Sequence, residues 1–225
     1  MIKLYYGDIS HLVPPWESYL VGKERLERTM GYKRQEDQAR SIGAELILNK
    51  ALARLFPAFR PPAQFQKEEH GKLFLAEGNE DLRLEDGRMA EFNLSHSGNF
   101  VACAVADRPV GVDIEEPKDS IRPGILRFLA EEEKKDVLEA ASESRRFFEY
   151  WVLKESYMKA VGTGFTKAPS SFRVMEKDGR YQVIENGERM PYGFRLYRLP
   201  SGFFMAVCAE NGIWEELEPE ELEIP

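Results

Sequence analysis

Apolar positions recur every three or four residues along two stretches of the chain. From Glu36 to Phe56, the positions Ala39, Ile42, Leu46, Asn49 and Ala53 share a face, and Ile47, Leu48, Leu52 and Leu55 widen it. Pro57, Pro61 and Pro62 end that helix. From Arg145 to Val161, the stripe is Phe147, Trp151, Met158 and Val161, stopped by Gly162 and Gly164. Lys154 falls near the middle of this stripe, where it needs a partner or a path to water. Trp16 to Arg34 and Ile121 to Ser142 predict two further helices of mixed charge. Alternation predicts a strand at Ile2 to Tyr6. It also predicts a three-strand meander from Phe92 to Glu115, with turns at Ser97-Gly98-Asn99 and Asp107-Arg108-Pro109. After Gly164 the pattern reads as strands and turns, then an acidic end.

The halves echo each other. Each has a long helix closing on a phenylalanine (Phe56, Phe165), with Lys50 or Lys159 six positions earlier. Then come Phe65 or Phe172, a Gly-cation pair (Gly71-Lys72, Gly179-Arg180) and an apolar strand, NFVACAVA or GFFMAVCA. Two unrelated α+β halves would share some of this order. A duplicated unit predicts an α+β pseudo-dimer with its active site in the cleft between the halves. The boundaries are 1–108, 109–209 and an acidic tail, 210–225.

Composition narrows the function. The 225 residues hold 31 Lys and Arg against 39 Asp and Glu, a net charge of −8, which argues against a nucleic-acid partner. Seven Glu lie between Glu210 and Pro225, and removing them leaves −1, so the body is nearly neutral. The opening residues show no apolar signal core and no run nears ~18 apolar residues, so neither export nor a membrane span is expected. Cys103 and Cys208 form no CxxC pattern, and His11, His70 and His96 lie far apart. A cytoplasmic protein fits, and any metal should be a hard cation held by carboxylates.

Three motifs could carry chemistry. In Val110-Gly111-Val112-Asp113-Ile114-Glu115, strand alternation puts Gly111, Asp113 and Glu115 on one face. Two carboxylates so placed repel unless a cation sits between them, although a bare D-x-E also suits a solvent-facing strand end. In FFEYWVLKESYMKAVGTGF, Glu155 precedes Lys159 by four residues, a spacing equally suited to a surface ion pair. In FNLSHSGNF, Ser95 and His96 end a strand before a tight turn; without a G-x-S-x-G elbow, a hydrolase nucleophile is a poor reading. Three carboxylates, a Lys and a His together suit metal-assisted phosphoryl chemistry.

FNLSHSG, GVDIEE and WVLKESYMKAVGTGF, in this order and spacing, resemble the 4′-phosphopantetheinyl transferases of the surfactin-synthetase-activating type. The resemblance covers most of the chain and implies the pseudo-dimer. It implies metal ligands at Asp113, Glu115 and Glu155, for Mg²⁺ or Mn²⁺, and diphosphate contacts from His96 and Lys159. GKERLERTMGYKRQEDQARS looks like the family's basic segment, so Arg25, Arg28 and Arg40 would hold the nucleotide end of coenzyme A, with Ser41 and Ser95 nearby. A solvated helix face is the other reading of those arginines. Lys72 would also contact the nucleotide, but Leu73 stands where the family commonly has Pro.

The implied activity moves 4′-phosphopantetheine from coenzyme A to a serine of an acyl or peptidyl carrier protein, releasing adenosine 3′,5′-bisphosphate. Glu155 would help remove the serine proton, while Lys159 and His96 would stabilise the leaving group. A monomer is expected, because the pseudo-dimer is internal. Lys118, Arg122 and Arg127, with Ile121, Ile125, Leu126 and Phe128 between them, are the candidate carrier-docking segment, or else an ordinary amphipathic helix start. Two other functions remain: a metal-dependent nuclease or phosphodiesterase, and a non-catalytic carrier-binding module of the same fold.

Overall fold

The computed structural model describes residues 1–67, 73–76, 78–122, 124–163, 166–213 and 216–225. In chain order its elements are β1 (Ile2–Asp8), α1 (Lys23–Met30), α2 (Gln35–Leu55), β2 (Phe65–Lys67), β3 (Leu73–Leu75), β4 (Glu91–Ser97) and β5 (Phe100–Ala106). There follow β6 (Val110–Glu115), α3 (Glu131–Glu139), α4 (Glu143–Val161), β7 (Phe172–Lys177), β8 (Arg180–Glu185), β9 (Glu188–Arg198), β10 (Phe204–Glu210) and β11 (Glu220–Glu221). They form two compact α+β units, Met1–Arg108 with Leu217–Pro225, and Pro109–Glu216.

In the first unit the strand order is β11-β1-β5-β4. The broad apolar stripe of α2 covers this sheet: Ile42, Leu46, Ile47 and Leu52 pack with Tyr5, Val101, Cys103 and Val105 in one core. Buried Thr29 of α1 donates to Ser41 of α2 at 2.8 Å, so both hydroxyls are satisfied without water. The acidic C-terminal segment is part of this unit. Its strand β11 runs parallel to β1, and Leu222 and Ile224 enter the core.

In the second unit the order is β6-β10-β9-β8-β7. Helix α4 packs across β6 and β10, burying Phe147, Leu153, Tyr157 and Met158 against Phe172, Phe194, Phe204 and Cys208. The echo in the sequence is a shared topology. Strand, long helix, hairpin, strand, strand gives β1-α2-β2-β3-β4-β5 in one unit and β6-α4-β7-β8-β9-β10 in the other. The matching strands lie in matching order, β1-β5-β4 and β6-β10-β9.

Three expectations about elements are corrected. The stretch from Trp16 to Arg34 is not one helix: a short turn at Trp16–Ser18 precedes α1, which ends at Gly31. Ile121 to Ser142 divides into a 3₁₀ turn, Ile125–Phe128, entered through Gly124 at φ +80, and α3. Strands β4, β5 and β6 are not one meander, because β1 and β4 occupy both edges of β5, and β6 pairs with β10 instead. Among the described residues, no helix is long and apolar enough to cross a membrane.

Candidate active site

Gly111 brings α4 onto β6. A Cβ there would lie 2.1 Å from the Ser156 carbonyl oxygen and 2.4 Å from the Ala160 nitrogen, so only glycine lets the helix backbone approach this closely. The period of two then turns Asp113 and Glu115 toward the same helix. Gly111 shares that strand face with the two acids, and its missing Cβ is what admits the helix.

Lys159 of α4 reaches this strand and donates to Asp113 Oδ1 at 2.6 Å and to the Val112 carbonyl at 3.1 Å. One turn earlier on the helix, Glu155 is 9% exposed, and its buried Oε1 has no hydrogen-bond partner among the described residues. Burial pushes the Glu155 carboxyl up to about 7; the charges of Asp113 and Glu115 add to the shift and that of Lys159 opposes it. Glu115, at the strand end, is half-buried. Asp113, Glu115, Glu155 and Lys159 thus form one electrostatic group within the second unit.

Among the described residues, no three His, Cys, Asp or Glu side chains are already gathered as a metal site. The donor chemistry nonetheless fits a hard divalent cation. The available ligands are carboxylate oxygens, one of them buried without a donor among the described residues, and Lys159 pairs with Asp113 at 2.6 Å.

The remaining candidates lie in the first unit. Ser95 is buried and His96 exposed on β4. Arg40 of α2 donates to the Gly98 carbonyl at 3.2 Å in the turn after His96, and it pairs with Asp37 at 2.5 Å. Asp37 is held below its usual range, first by that hydrogen bond from Arg40 and, more weakly, by nearby positive charges that include His96. Ser41 is turned inward to Thr29, which gives it a part in joining α1 to α2.

Arg25 and exposed Arg28 line a cavity of about 730 Å³ together with Gln64, Phe65 and Phe74. Arg25 is paired there with buried Glu45 at 3.0 Å, and Arg28 donates to the Tyr32 hydroxyl. Lys72 lies outside the described residues. The sequence reading passed over Glu45 and Asp37. Asp37 stands three residues before Arg40, a pairing distance on a helix. Glu45 is a charge inside the apolar stripe of α2, the same signal that singled out Lys154.

Comparison with known proteins agrees with this geometry. Residues 109–208 match the family model described as the 4′-phosphopantetheinyl transferase superfamily, and residues 16–108 match the N-terminal model of 4′-phosphopantetheinyl transferases. The 4′-phosphopantetheinyl transferase Sfp of Bacillus subtilis is 28% identical over 85% of this chain and 83% of its own length. The transferase ffp of Bacillus subtilis is 30% identical over 84% and 82%. The transferase gsp of Aneurinibacillus migulanus is 29% identical over 84% and 76%. The two family models meet at the boundary between Arg108 and Pro109, where the fold itself divides, and with the site motifs inside the matched ranges the chain belongs to the 4′-phosphopantetheinyl transferase superfamily.

Proposed function

We propose that this chain transfers 4′-phosphopantetheine from coenzyme A to a serine hydroxyl of an acyl or peptidyl carrier protein, with Mg²⁺, or Mn²⁺ in its place. The observation that carries the reading is the buried Oε1 of Glu155, without a hydrogen-bond partner among the described residues, in the same group as the Asp113–Lys159 pair. An acid held this way costs stability and suits a site that supplies a cation and a reacting proton.

Asp113, Glu115 and Glu155 would hold the metal. When bound, it screens the charge of the diphosphate and lets the three carboxylates stay ionised together. Glu155 accepts the proton of the incoming serine, whose oxygen bonds to the β-phosphorus as the bond to the nucleotide's bridging oxygen breaks. Lys159 and His96 donate toward the charge left on adenosine 3′,5′-bisphosphate. Arg25, Arg28 and Arg40 bind the nucleotide end of coenzyme A, with Ser95, Ser41 and Lys72 in support. Lys159 is then shared: it balances Asp113 without ligands and turns to phosphate oxygen with them.

Docking falls to the segment after β6. Arg122 and Arg127 are exposed, whereas Ile121, Ile125 and Leu126 are half-buried against the second unit's core. The arginines therefore offer charge to an acidic carrier, while those apolar residues mainly hold the segment in place.

The test is mass spectrometry of apo carrier protein after incubation with coenzyme A and Mg²⁺. A gain of one phosphopantetheine on serine is expected, and loss of that gain in Asp113→Ala and in Glu155→Ala, both still folded by circular dichroism. A folded wild type that leaves several apo carriers unmodified would favour the non-catalytic module. Unfolding of both variants would make the acids structural.

A further inference from the structure

We propose that Glu45 is a positioning residue for coenzyme A: it holds the Arg25 guanidinium at the wall of the first unit's cavity, set to meet an anionic group of the nucleotide end. The inference rests on the nucleotide subsite proposed above, which does not itself include Glu45.

Helices α1 and α2 are joined by two rungs, one helical turn apart. The rungs leave α1 at Arg25 and Thr29 and reach α2 at Glu45 and Ser41, so each helix uses one face at i, i+4 spacing. The Thr29–Ser41 rung is neutral and buried. The Arg25–Glu45 rung is charged, and it is the one that borders the cavity shared with Arg28, Gln64, Phe65 and Phe74. The Glu45 side chain is 1% exposed and that of Arg25 12%. Both Glu45 oxygens are used. Oε2 accepts from Arg25 Nε at 3.0 Å, and Oε1 accepts from the Gly22 amide at 2.5 Å. Gly22 precedes α1, and its carbonyl accepts from the Leu26 amide in the first turn. Glu45 therefore does from α2 what a capping-box glutamate does within its own helix.

Stability does not account for a charged rung here. Position 45 lies in the apolar stripe of α2, between Ala44 and Leu46, both buried. Buried ion pairs are often replaced by apolar side chains without loss, because desolvation offsets their attraction. A neutral rung already joins the same helices one turn away. What the charged rung adds is a fixed cation. Without Glu45, Arg25 would be a nearly buried charge with no counter-charge, and it would turn toward water. Glu45 takes Nε, and among the described residues no acceptor takes the two terminal nitrogens. The guanidinium is thus held at one side and open at the other, where its fork suits phosphate oxygens. A side chain already fixed loses less freedom when the ligand binds. The carboxylate occupies none of the donors that the ligand would use.

Calorimetric titration of the full chain with adenosine 3′,5′-bisphosphate, in chelator, tests this. Wild type should bind, and Arg25→Ala should bind about tenfold more weakly. Glu45→Gln keeps an acceptor for the Gly22 amide but loses the charge and the second acceptor. It should bind at least about threefold more weakly than wild type. Arg25→Ala/Glu45→Gln should bind no more weakly than Arg25→Ala, since Glu45 acts through Arg25. In carrier modification, Glu45→Gln should raise the KM for coenzyme A and keep kcat within about twofold. Thr29→Val, which cuts the neutral rung, should lower the melting temperature and leave affinity unchanged. If Glu45→Gln does not fold, Glu45→Asp is read instead, with the same loss expected, because it is one methylene too short to reach both partners. Equal or tighter binding by Glu45→Gln would overturn the inference and make Glu45 a mere counter-charge. Losses that add in the double variant, or an equal loss in Thr29→Val, would overturn it by making the effect one of loosened packing. In all three cases a weakened Arg25→Ala leaves the nucleotide subsite standing. No saturable binding by wild type, or an Arg25→Ala variant that binds like wild type, would instead remove the subsite and this inference with it.

Discussion

Glu155 shows how one side chain can be costly to the fold and useful to the site. Its carboxyl keeps its proton up to about 7 in the folded protein, against an ordinary value of 4.5. A raised carboxyl stabilises the fold fully below the unfolded value and loses that contribution as pH rises through the folded one. Metal-free wild type should therefore weaken between pH 4.5 and about 7 through this group, by an amount on the order of 1–3 kcal/mol. Glu155→Gln removes the charge and keeps the shape. In chelator it should melt above wild type at pH 8, and the gap should close toward pH 4.5. Calorimetric melts across that range decide it; a variant that melts below wild type at pH 8 would mean that the ionised carboxylate is satisfied. The D-x-E and E-x-x-x-K spacings were enough to name these residues. The missing partner of Glu155 Oε1 was not legible, because it depends on how closely α4 lies on β6.

At the scale of elements, two devices hold α4 in place. The first is Gly111. Alanine there would place Cβ inside contact distance of backbone atoms of Ser156 and Ala160, which cannot rotate away as a side-chain tip can. Gly111→Ala should displace α4 from β6, cost ~3 kcal/mol or more, and lower transfer activity even where the fold persists. Denaturant melts with an activity assay would show this; unchanged stability would mean that the helix can shift freely. The second device is Lys154, fully buried, which pairs with Glu133 of α3 at 2.8 Å. It also donates to the carbonyls of Pro169 and Phe172 at 2.9 and 2.7 Å. Glu133 in turn accepts from the Ala130 and Val174 amides. Burial lowers Lys154 and raises Glu133, and each partner opposes the other's shift. Removing one partner leaves the other charge buried and uncompensated. Lys154→Met should thus cost about 3–5 kcal/mol, with part of the loss recovered in Lys154→Met/Glu133→Gln. A double variant whose losses simply add would mean that the pair is not coupled. The sequence showed that Lys154 needed a partner, but Glu133 lies 21 positions away on another helix, and no local pattern reports such a distance.

Across the whole molecule, what the sequence disclosed was local or repeated. The long helices α2 and α4 show through their stripes, and the shared topology shows through the recurrence of helix, hairpin and apolar strand. What escaped it was pairing between distant segments. Strand β6 reads as the continuation of β4 and β5, because consecutive strands usually neighbour each other, yet its partner is β10. The acidic C-terminal segment reads as a separate tail because its charges mask the apolar positions between them. In the fold its backbone extends the first sheet: the Leu222 amide donates to the Tyr6 carbonyl at 2.8 Å. The Lys50 ammonium donates to the Glu223 carbonyl at 2.5 Å, and Arg54 pairs with Glu220 at 2.7 Å. A Cβ on Gly7 would come 2.6 Å from the Leu222 carbonyl oxygen, so the segment lies directly on β1. Leu217, Leu222 and Ile224 are 6%, 2% and 3% exposed. Burying three such side chains is worth ~1.5–3 kcal/mol each, a large share of the ~5–15 kcal/mol that holds a domain together. Truncation after Glu216 should therefore unfold or severely weaken the first unit. The exposed charges of Glu220 and Glu221 contribute little by comparison, since surface ion pairs are worth about 0–1 kcal/mol. Replacing both by glutamine should leave the melting temperature nearly unchanged, whereas Leu222→Asp/Ile224→Asp in the full chain should reproduce the truncation. Hydrogen exchange places the damage: protection should fall in β1, β5 and α2 and persist in β6, β10 and α4. Wild-type protection of β1 in the truncated chain would mean that the segment only rests on a unit already complete without it.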